Sequence, residues 1–272
     1  MDYEIKKPPC FDLAATLDCG QCFRATLLED GEARLFYKDR FLRLKQTADR
    51  LVFYNTTVDE FENIWKEYFD LSRDYNAIIE GFSSDPLLYK IARSQQGIRI
   101  LKQDPFEALI SFIISQNNNI PRIKLIISLL CQNFGEKIEN GYAFPTLERL
   151  AAASLEDLAT IRAGFRAKYI KSATDLLINN KIDLEKIKNS DIESAEAELL
   201  KIKGVGKKVA ACCLLYGMNF LDAYPKDVWI NRAFDTLFLE GMPPCAAPYS
   251  GIAQQYIFNY IRNKKDTEKI TK

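Results

Sequence analysis

The sequence predicts an α+β fold, with an N-terminal antiparallel β-sheet domain followed by a mostly α-helical part. Three observations predict it. Between residues 22 and 55, four short segments rich in β-branched and aromatic residues alternate with turn-like stretches. From about Asp59 onward, apolar residues recur at helical spacing. Strands come first and helices after, the order of an α+β chain rather than of alternating βα units.

The strand segments are "CFRATL", "ARLFYK", "FLRLKQ" and "RLVFYN", parted by "EDGE", "DR" and "TADR". Connections this short join antiparallel neighbours, because a parallel pair needs a long crossover. "DEFENIWKEYF" opens the helical region. "PFEALISFIISQ" begins with Pro105 at a first helical position, and "PRIKLIISLLCQNF" begins with Pro121 and stops before Gly135. In "SLEDLATI", Ser154 reads as an N-cap with Asp157 three residues on, and Gly164 ends the segment. "ESAEAELLKI" has the spacing of a short helix, Gly204-Val205-Gly206 of a tight hairpin, and Lys207 to Asn219 of a second helix. These elements suggest a sheet domain with flanking helices over residues 1–96. A helical region over 97–272 follows, with the helix-hairpin-helix segment at about 195–219 between two subdomains.

The chain has 272 residues, 47% of them apolar, enough for a sizeable core. The longest apolar runs are too short to span a bilayer, and the N-terminus carries neither a signal-peptide core nor a lipidation motif. Seven cysteines without a secretion signal point to free thiols in a reducing, cytoplasmic compartment. Lys and Arg number 37, as do Asp and Glu, so any polyanion site must be local. Histidine is absent. That excludes Ser-His-Asp and Cys-His nucleophiles and His-ligated zinc, leaving Lys, Asp, Glu, Cys or Tyr for chemistry. Cys19 and Cys22 form a CxxC without a second pair at metal-site spacing, so no metal and no cofactor are expected.

In the hairpin, Gly204 and Gly206 allow positive φ and close backbone approach. The following helix start offers unpaired N–H groups, and Lys203 and Lys207 stand beside it, a combination suited to phosphate. An ordinary helix–helix turn with solvated lysines fits the same residues. Lys208 lies in the first helical turn, where the dipole and neighbouring cations disfavour an ammonium, as a nucleophilic amine requires. It could also be a plain surface lysine. Asp227, before "VWINRAFDTLF", reads as an N-cap.

Helix–GVG–helix, Lys208 two residues beyond the second glycine, and "YPKDVWINRAF" at 224–234 resemble the helix-hairpin-helix DNA glycosylase superfamily. "LDCGQCFR" (17–24), "IRILKQDPFEALISFIISQNNNIPRI" (98–123), "GFRAKYI" (164–170) and "GIAQQYIF" (251–258) narrow the resemblance to the 8-oxoguanine DNA glycosylase/AP lyases, in a bacterial or archaeal form. The resemblance implies Lys208 as nucleophile and Asp227 as its carboxylate partner. It implies Gly20, Cys212, Gln254 and Phe258 around the extruded base, with the Gly20 carbonyl reading the lesion's N7–H. Asn117 and Phe165 would fill the gap in the duplex, and Arg122 and Arg166 would read the opposite cytosine. Lys203, Gly204, Gly206 and Lys207 would hold phosphates. The implied partner is duplex DNA carrying 8-oxoguanine, preferentially opposite cytosine, met by a monomer. Taken alone, the asparagine run is an ordinary C-terminal turn, Phe165 a core residue, Arg166 a solvated one and Gly20 a turn or bulge. The chain departs from the animal pattern at Trp229, where a histidine stands, and at Ala25, where a tryptophan stands. Only Cys245 follows Asp227, so the four-cysteine iron–sulfur cluster of related endonucleases is not expected. A same-fold glycosylase for another purine, or a DNA-binding module without catalysis, remains an alternative.

Overall fold

Alternating side chains build the sheet. The computed structural model describes residues 2–270, with side chains through residue 263. Strands β1 (Tyr3–Lys6), β2 (Ala25–Leu27), β3 (Glu32–Tyr37), β4 (Arg40–Gln46) and β5 (Arg50–Tyr54) form one antiparallel sheet in the order β1-β5-β4-β3-β2. The register places Leu35 opposite Leu42 and Leu44 opposite both Ala33 and Phe53. These residues and Leu51 share one buried face. Helix α1 (Leu13–Asp18) covers that face with Leu13 and Leu17. So does the helical segment formed by α2 (Val58–Glu60), a π-turn (Phe61–Trp65) and α3 (Lys66–Tyr68), through Phe61, Trp65 and Tyr68. A Thr57–Glu60 capping box starts this segment.

The sheet differs from expectation at both edges. β1 pairs with β5 through "YEIK", which lies outside the predicted strand region. The segment "CFRATL" becomes a strand only from Ala25, because Cys22 and Phe23 are used as core plugs before it.

The helical body follows. It comprises α4 (Tyr75–Gly81), α5 (Pro86–Ser94), α6 (Pro105–Ser115) and α7 (Ile120–Phe134). A two-residue-strand hairpin, β6 (Lys137–Ile138) and β7 (Gly141–Tyr142), comes next. Helices α8 (Leu147–Ala151), α9 (Leu155–Ala159), α10 (Arg166–Ile178), α11 (Leu184–Lys188), α12 (Ile192–Leu200), α13 (Lys207–Cys212), α14 (Val228–Thr236) and α15 (Ser250–Ile270) complete it. Helix α13 runs on through a π-turn, Cys213–Gly217. Helix α6 is buried continuously from Glu107 to Ser115, as its all-round apolar sequence requires of a central helix. Two hydrophobic cores result, and they interleave along the chain. Helices α4 and α5 precede residue 96 yet pack in the larger, helical core, while Leu101 joins the sheet core. Among the described residues no helix is long and apolar enough to cross a membrane.

Candidate active site

The hairpin between α12 and α13 is shaped by its apolar residues. Ile202 and Val205 are buried, and the Val205 amide donates to the Ile202 carbonyl at 2.9 Å. Gly204 sits at φ +87°, and a Cβ built on it would overlap the Tyr169 ring. Both conditions require glycine. Gly206 takes the N-cap position of α13 without a side chain to cap it. The first turn therefore has no side-chain cap, and exposed Lys203 and Lys207 flank it.

Lys208, in that first turn, is half-buried, with Nζ 5.9 Å from the centroid of the Phe112 ring. Among the described residues it has no hydrogen bond or ion pair. Asp227 caps α14, its Oδ1 accepting from the Trp229 amide at 3.0 Å and the Ile230 amide at 2.9 Å. Burial pushes the Asp227 carboxyl up from its ordinary value, opposed by the Ile230 amide and then by the Lys208 charge. Desolvation thus outweighs the bonds that cap the helix. One turn beyond Lys208, buried Cys212 has its thiol pushed up to about 12 by burial and remains protonated.

Gly20 lies at φ +81°, and a Cβ there would stand 3.7 Å from Phe258 and 3.8 Å from Ile120. The backbone conformation, more than lack of room within the protein, therefore calls for glycine. The same contact brings Gly20 and Phe258 together. Gln254 is buried, and its Oε1 has no hydrogen-bond partner. An orphaned buried amide oxygen marks a place where a ligand completes the bonding.

Asn117 occupies the turn between α6 and α7 with a left-handed φ of +47°. Arg166 holds that turn. Its Nε donates to the Gln116 carbonyl at 2.8 Å, its Nη2 to the Gln116 and Asn117 carbonyls, and its Nη1 to the Ala163 carbonyl at 3.1 Å. Arg166 is thus buried, not solvated, and of its five N–H groups one on Nη1 lies outside these bonds. Arg122 is exposed, and its charge reaches Arg166. Phe165 is not a core residue, being 50% exposed. Its ring lies 4.5 Å from the Arg166 guanidinium carbon and 5.7 Å from the Tyr169 ring, edge-on.

Sequence reading missed several residues of this region. Tyr169 links Phe165 to the hairpin, Phe112 lies under Lys208, and Tyr216 and Gln255 form a buried pair behind Gly20. Each sits in an apolar or mixed helix where its own pattern reads as packing. The thiols of the CxxC go different ways, Cys19 into the helical core and Cys22 into the sheet core.

Comparison with known proteins follows the same outline. The model of the 8-oxoguanine DNA glycosylase N-terminal domain matches residues 4–109. That of the HhH-GPD superfamily base excision DNA repair proteins matches residues 110–243. An N-glycosylase/DNA lyase of Saccharomyces cerevisiae is 40% identical over 155 residues, 51% of this chain and 41% of that protein. The chain thus spans less than half of that curated relative. A probable N-glycosylase/DNA lyase of Methanothermobacter thermautotrophicus is 33% identical over 255 residues, 81% of this chain and 79% of its own. The structure of the Clostridium acetobutylicum 8-oxoguanine glycosylase/lyase, in complex with duplex DNA containing cytosine opposite 8-oxoguanine, superposes with a TM-score of 0.90. It is 38% identical and covers 97% of this chain and 98% of that one.

Proposed function

Because this chain belongs to the 8-oxoguanine DNA glycosylase family of helix-hairpin-helix base excision repair proteins, we propose that it excises 8-oxoguanine from duplex DNA and nicks the strand. The observation that carries the proposal is that Lys208, without a hydrogen bond or ion pair among the described residues, and the half-buried Asp227 carboxyl lie within reach of each other's charge, with Cys212 feeling both. The duplex is gripped at the hairpin through first-turn amides and Lys203 and Lys207. The lesion is extruded at a cost of a few kcal/mol, offset by Asn117 and the exposed Phe165 ring entering the gap.

Within the pocket, the Gly20 carbonyl accepts the N7–H that 8-oxoguanine has and guanine lacks. Gln254 completes its hydrogen bonding on the base edge, and Phe258 and the neutral Cys212 thiol pack on its faces. The Lys208 amine attacks C1′ as the glycosidic bond breaks, with Asp227 stabilising the positive charge that develops on the sugar. The base leaves with the bonding pair and gains a proton. Ring opening gives an imine between Lys208 and C1′. The imine acidifies the C2′ proton, and its loss expels the 3′ phosphate.

Opposite-base preference for cytosine rests mainly on exposed Arg122 in this reading, because most Arg166 donors face protein carbonyls. Borohydride trapping tests the proposal. The protein should form a covalent adduct with DNA carrying 8-oxoguanine, and Lys208→Gln should abolish adduct and base release together while melting as the parent does. An undiminished adduct in that variant would overturn the assignment.

A further inference from the structure

The residues beside Gly20 are tied on both sides to one buried tyrosine. On the N-terminal side, Gln255 Nε2 donates to the Cys19 carbonyl at 2.9 Å, and the Tyr216 hydroxyl donates to Gln255 Oε1 at 2.5 Å. On the C-terminal side, Gln103 Nε2 donates to the Gln21 carbonyl at 2.7 Å, and the Gln103 amide donates to the Tyr216 carbonyl at 2.9 Å. The Gln21 side chain adds bonds to the Thr16 and Arg99 carbonyls and to the Leu101 amide, at 2.9, 2.8 and 2.8 Å. Burial pushes the Tyr216 phenol well above its ordinary value, so the hydroxyl keeps its proton and donates. The Tyr216 ring stacks on Phe112, with centroids 5.3 Å apart and planes at 22°. Phe112 is the ring above which Lys208 Nζ stands.

We infer that Tyr216, Gln255 and Gln103 are positioning residues that fix the direction of the Gly20 carbonyl and index it to the same aromatic stack as the catalytic amine. A glycine at positive φ is otherwise free to rotate its peptide, and a carbonyl turned away from N7 distinguishes nothing. The fixed carbonyl rewards the lesion's N–H and repels the lone pair of guanine only while both flanking peptides are held. Gln255 and Gln103 hold them by bonds to the Cys19 and Gln21 carbonyls rather than to the Gly20 carbonyl itself, so the frame leaves that carbonyl free for the base. The inference rests on the proposed role of Gly20 as reader of N7–H.

The test uses the full chain with Gln255→Met, a substitution of similar volume that removes both of its bonds, and with Tyr216→Phe, which keeps the stack and the residue 216 carbonyl. Two quantities are measured. In the Lys208→Gln background, duplex affinity for 8-oxoguanine relative to guanine should fall about tenfold for Gln255→Met and less for Tyr216→Phe. With Lys208 present, nicking of a duplex already carrying an abasic site, which has no base to read, should stay within about threefold of the parent. An unchanged affinity ratio would overturn the frame. So would nicking that falls in proportion to lesion binding, since that is the signature of a merely structural role. A third duplex, carrying 8-oxoguanine methylated at N7, separates this inference from its premise. If the Lys208→Gln protein binds it as tightly as 8-oxoguanine, the Gly20 reading fails. If it rejects the methylated base while Gln255→Met keeps the full ratio, the frame alone fails.

Discussion

At the scale of single residues, the informative side chains are those whose surroundings differ from what their type suggests. Asp227 is a helix cap whose carboxyl is raised by burial. A raised carboxylic acid means the folded state holds the proton more tightly than the unfolded one. Ionised Asp227 therefore lowers stability above its folded value, and the loss is relieved as pH falls toward the ordinary aspartate range. Asn caps as well as Asp and needs no ionisation. Asp227→Asn should thus melt at or above the parent temperature at neutral pH while slowing base excision by about 100-fold or more. In the parent, the acid limb of single-turnover excision should lie above about pH 4, the ordinary aspartate value. A variant that excises at the parent rate would reduce Asp227 to a cap. Arg166 is the second case. Its bonds to the Gln116, Asn117 and Ala163 carbonyls make it a brace for the asparagine turn. Arg122→Ala should relax the preference for cytosine, about 1–3 kcal/mol for one polar contact, and leave the melting temperature unchanged. Arg166→Ala should instead lower the melting temperature, because it strands the buried Ala163 carbonyl and unties the Gln116 and Asn117 carbonyls of the turn. If the two variants behaved alike in both assays, the division of roles would be wrong.

At the scale of elements, legibility in the sequence follows length and periodicity. Strands β3, β4 and β5 and helices α6 and α7 carry long regular patterns and were readable. β1, with four residues, and the β6–β7 hairpin, with two per strand, are too short for alternation to register. The second hairpin helix was readable as far as its end, but the π-turn from Cys213 to Gly217 was not, since periodicity does not report a single widened turn. Site residues with a distinctive local signal, such as Gly204, Lys208 and the capping Asp227, could be singled out from sequence. Tyr169 could not, because its importance comes from a ring placed against a glycine 35 positions away. That contact yields a prediction. Gly204→Ala forces a methyl into the Tyr169 ring at a left-handed φ and should cost about 2–4 kcal/mol in stability and weaken duplex binding. Adding Tyr169→Ala removes the overlap but not the backbone strain, so the pair should be less destabilising than the sum of the single changes. Strict additivity in thermal melts would show that the hairpin and α10 are not packed as described.

At the scale of the whole molecule, two buried arginines bridge the elements of the two cores. Arg24 links the sheet to α6, with Nη1 3.0 Å from Glu107 Oε2 and Nη2 donating to the Tyr142 carbonyl at 2.7 Å. Arg99 goes further. It is 2% exposed and donates to four carbonyls: Pro9 at 2.8 Å, Cys10 at 3.2 Å, Asp70 at 2.6 Å and Arg73 at 3.1 Å. Its guanidinium lies 4.5 Å from the Tyr75 ring centroid, and buried Asp70, paired with Arg73 at 2.6 Å, supplies opposite charge nearby. The N-terminal segment, the end of the sheet domain and the start of the helical body therefore meet at one side chain. Arg99 lies next to the Gln21 anchor, since its own carbonyl accepts from Gln21 Nε2 at 2.8 Å. Removing the guanidinium leaves the buried Asp70 carbonyl and the part-buried bonds to Pro9, Cys10 and Arg73 without their donor, and Asp70 with less compensation. Each orphaned acceptor costs about 1–3 kcal/mol, and local relaxation keeps the total below their sum. Arg99→Met should therefore destabilise by about 3–5 kcal/mol, at the upper end for a single substitution. At about 2–4 °C per kcal/mol for a chain of this size, the melting temperature should fall by roughly 6–20 °C. The loss should be shared by both cores, so near-ultraviolet circular dichroism and Trp65 fluorescence should report one transition at the lowered temperature. A variant melting within about 2 °C of the parent would show that the junction is held by its apolar contacts and that Arg99 merely occupies it.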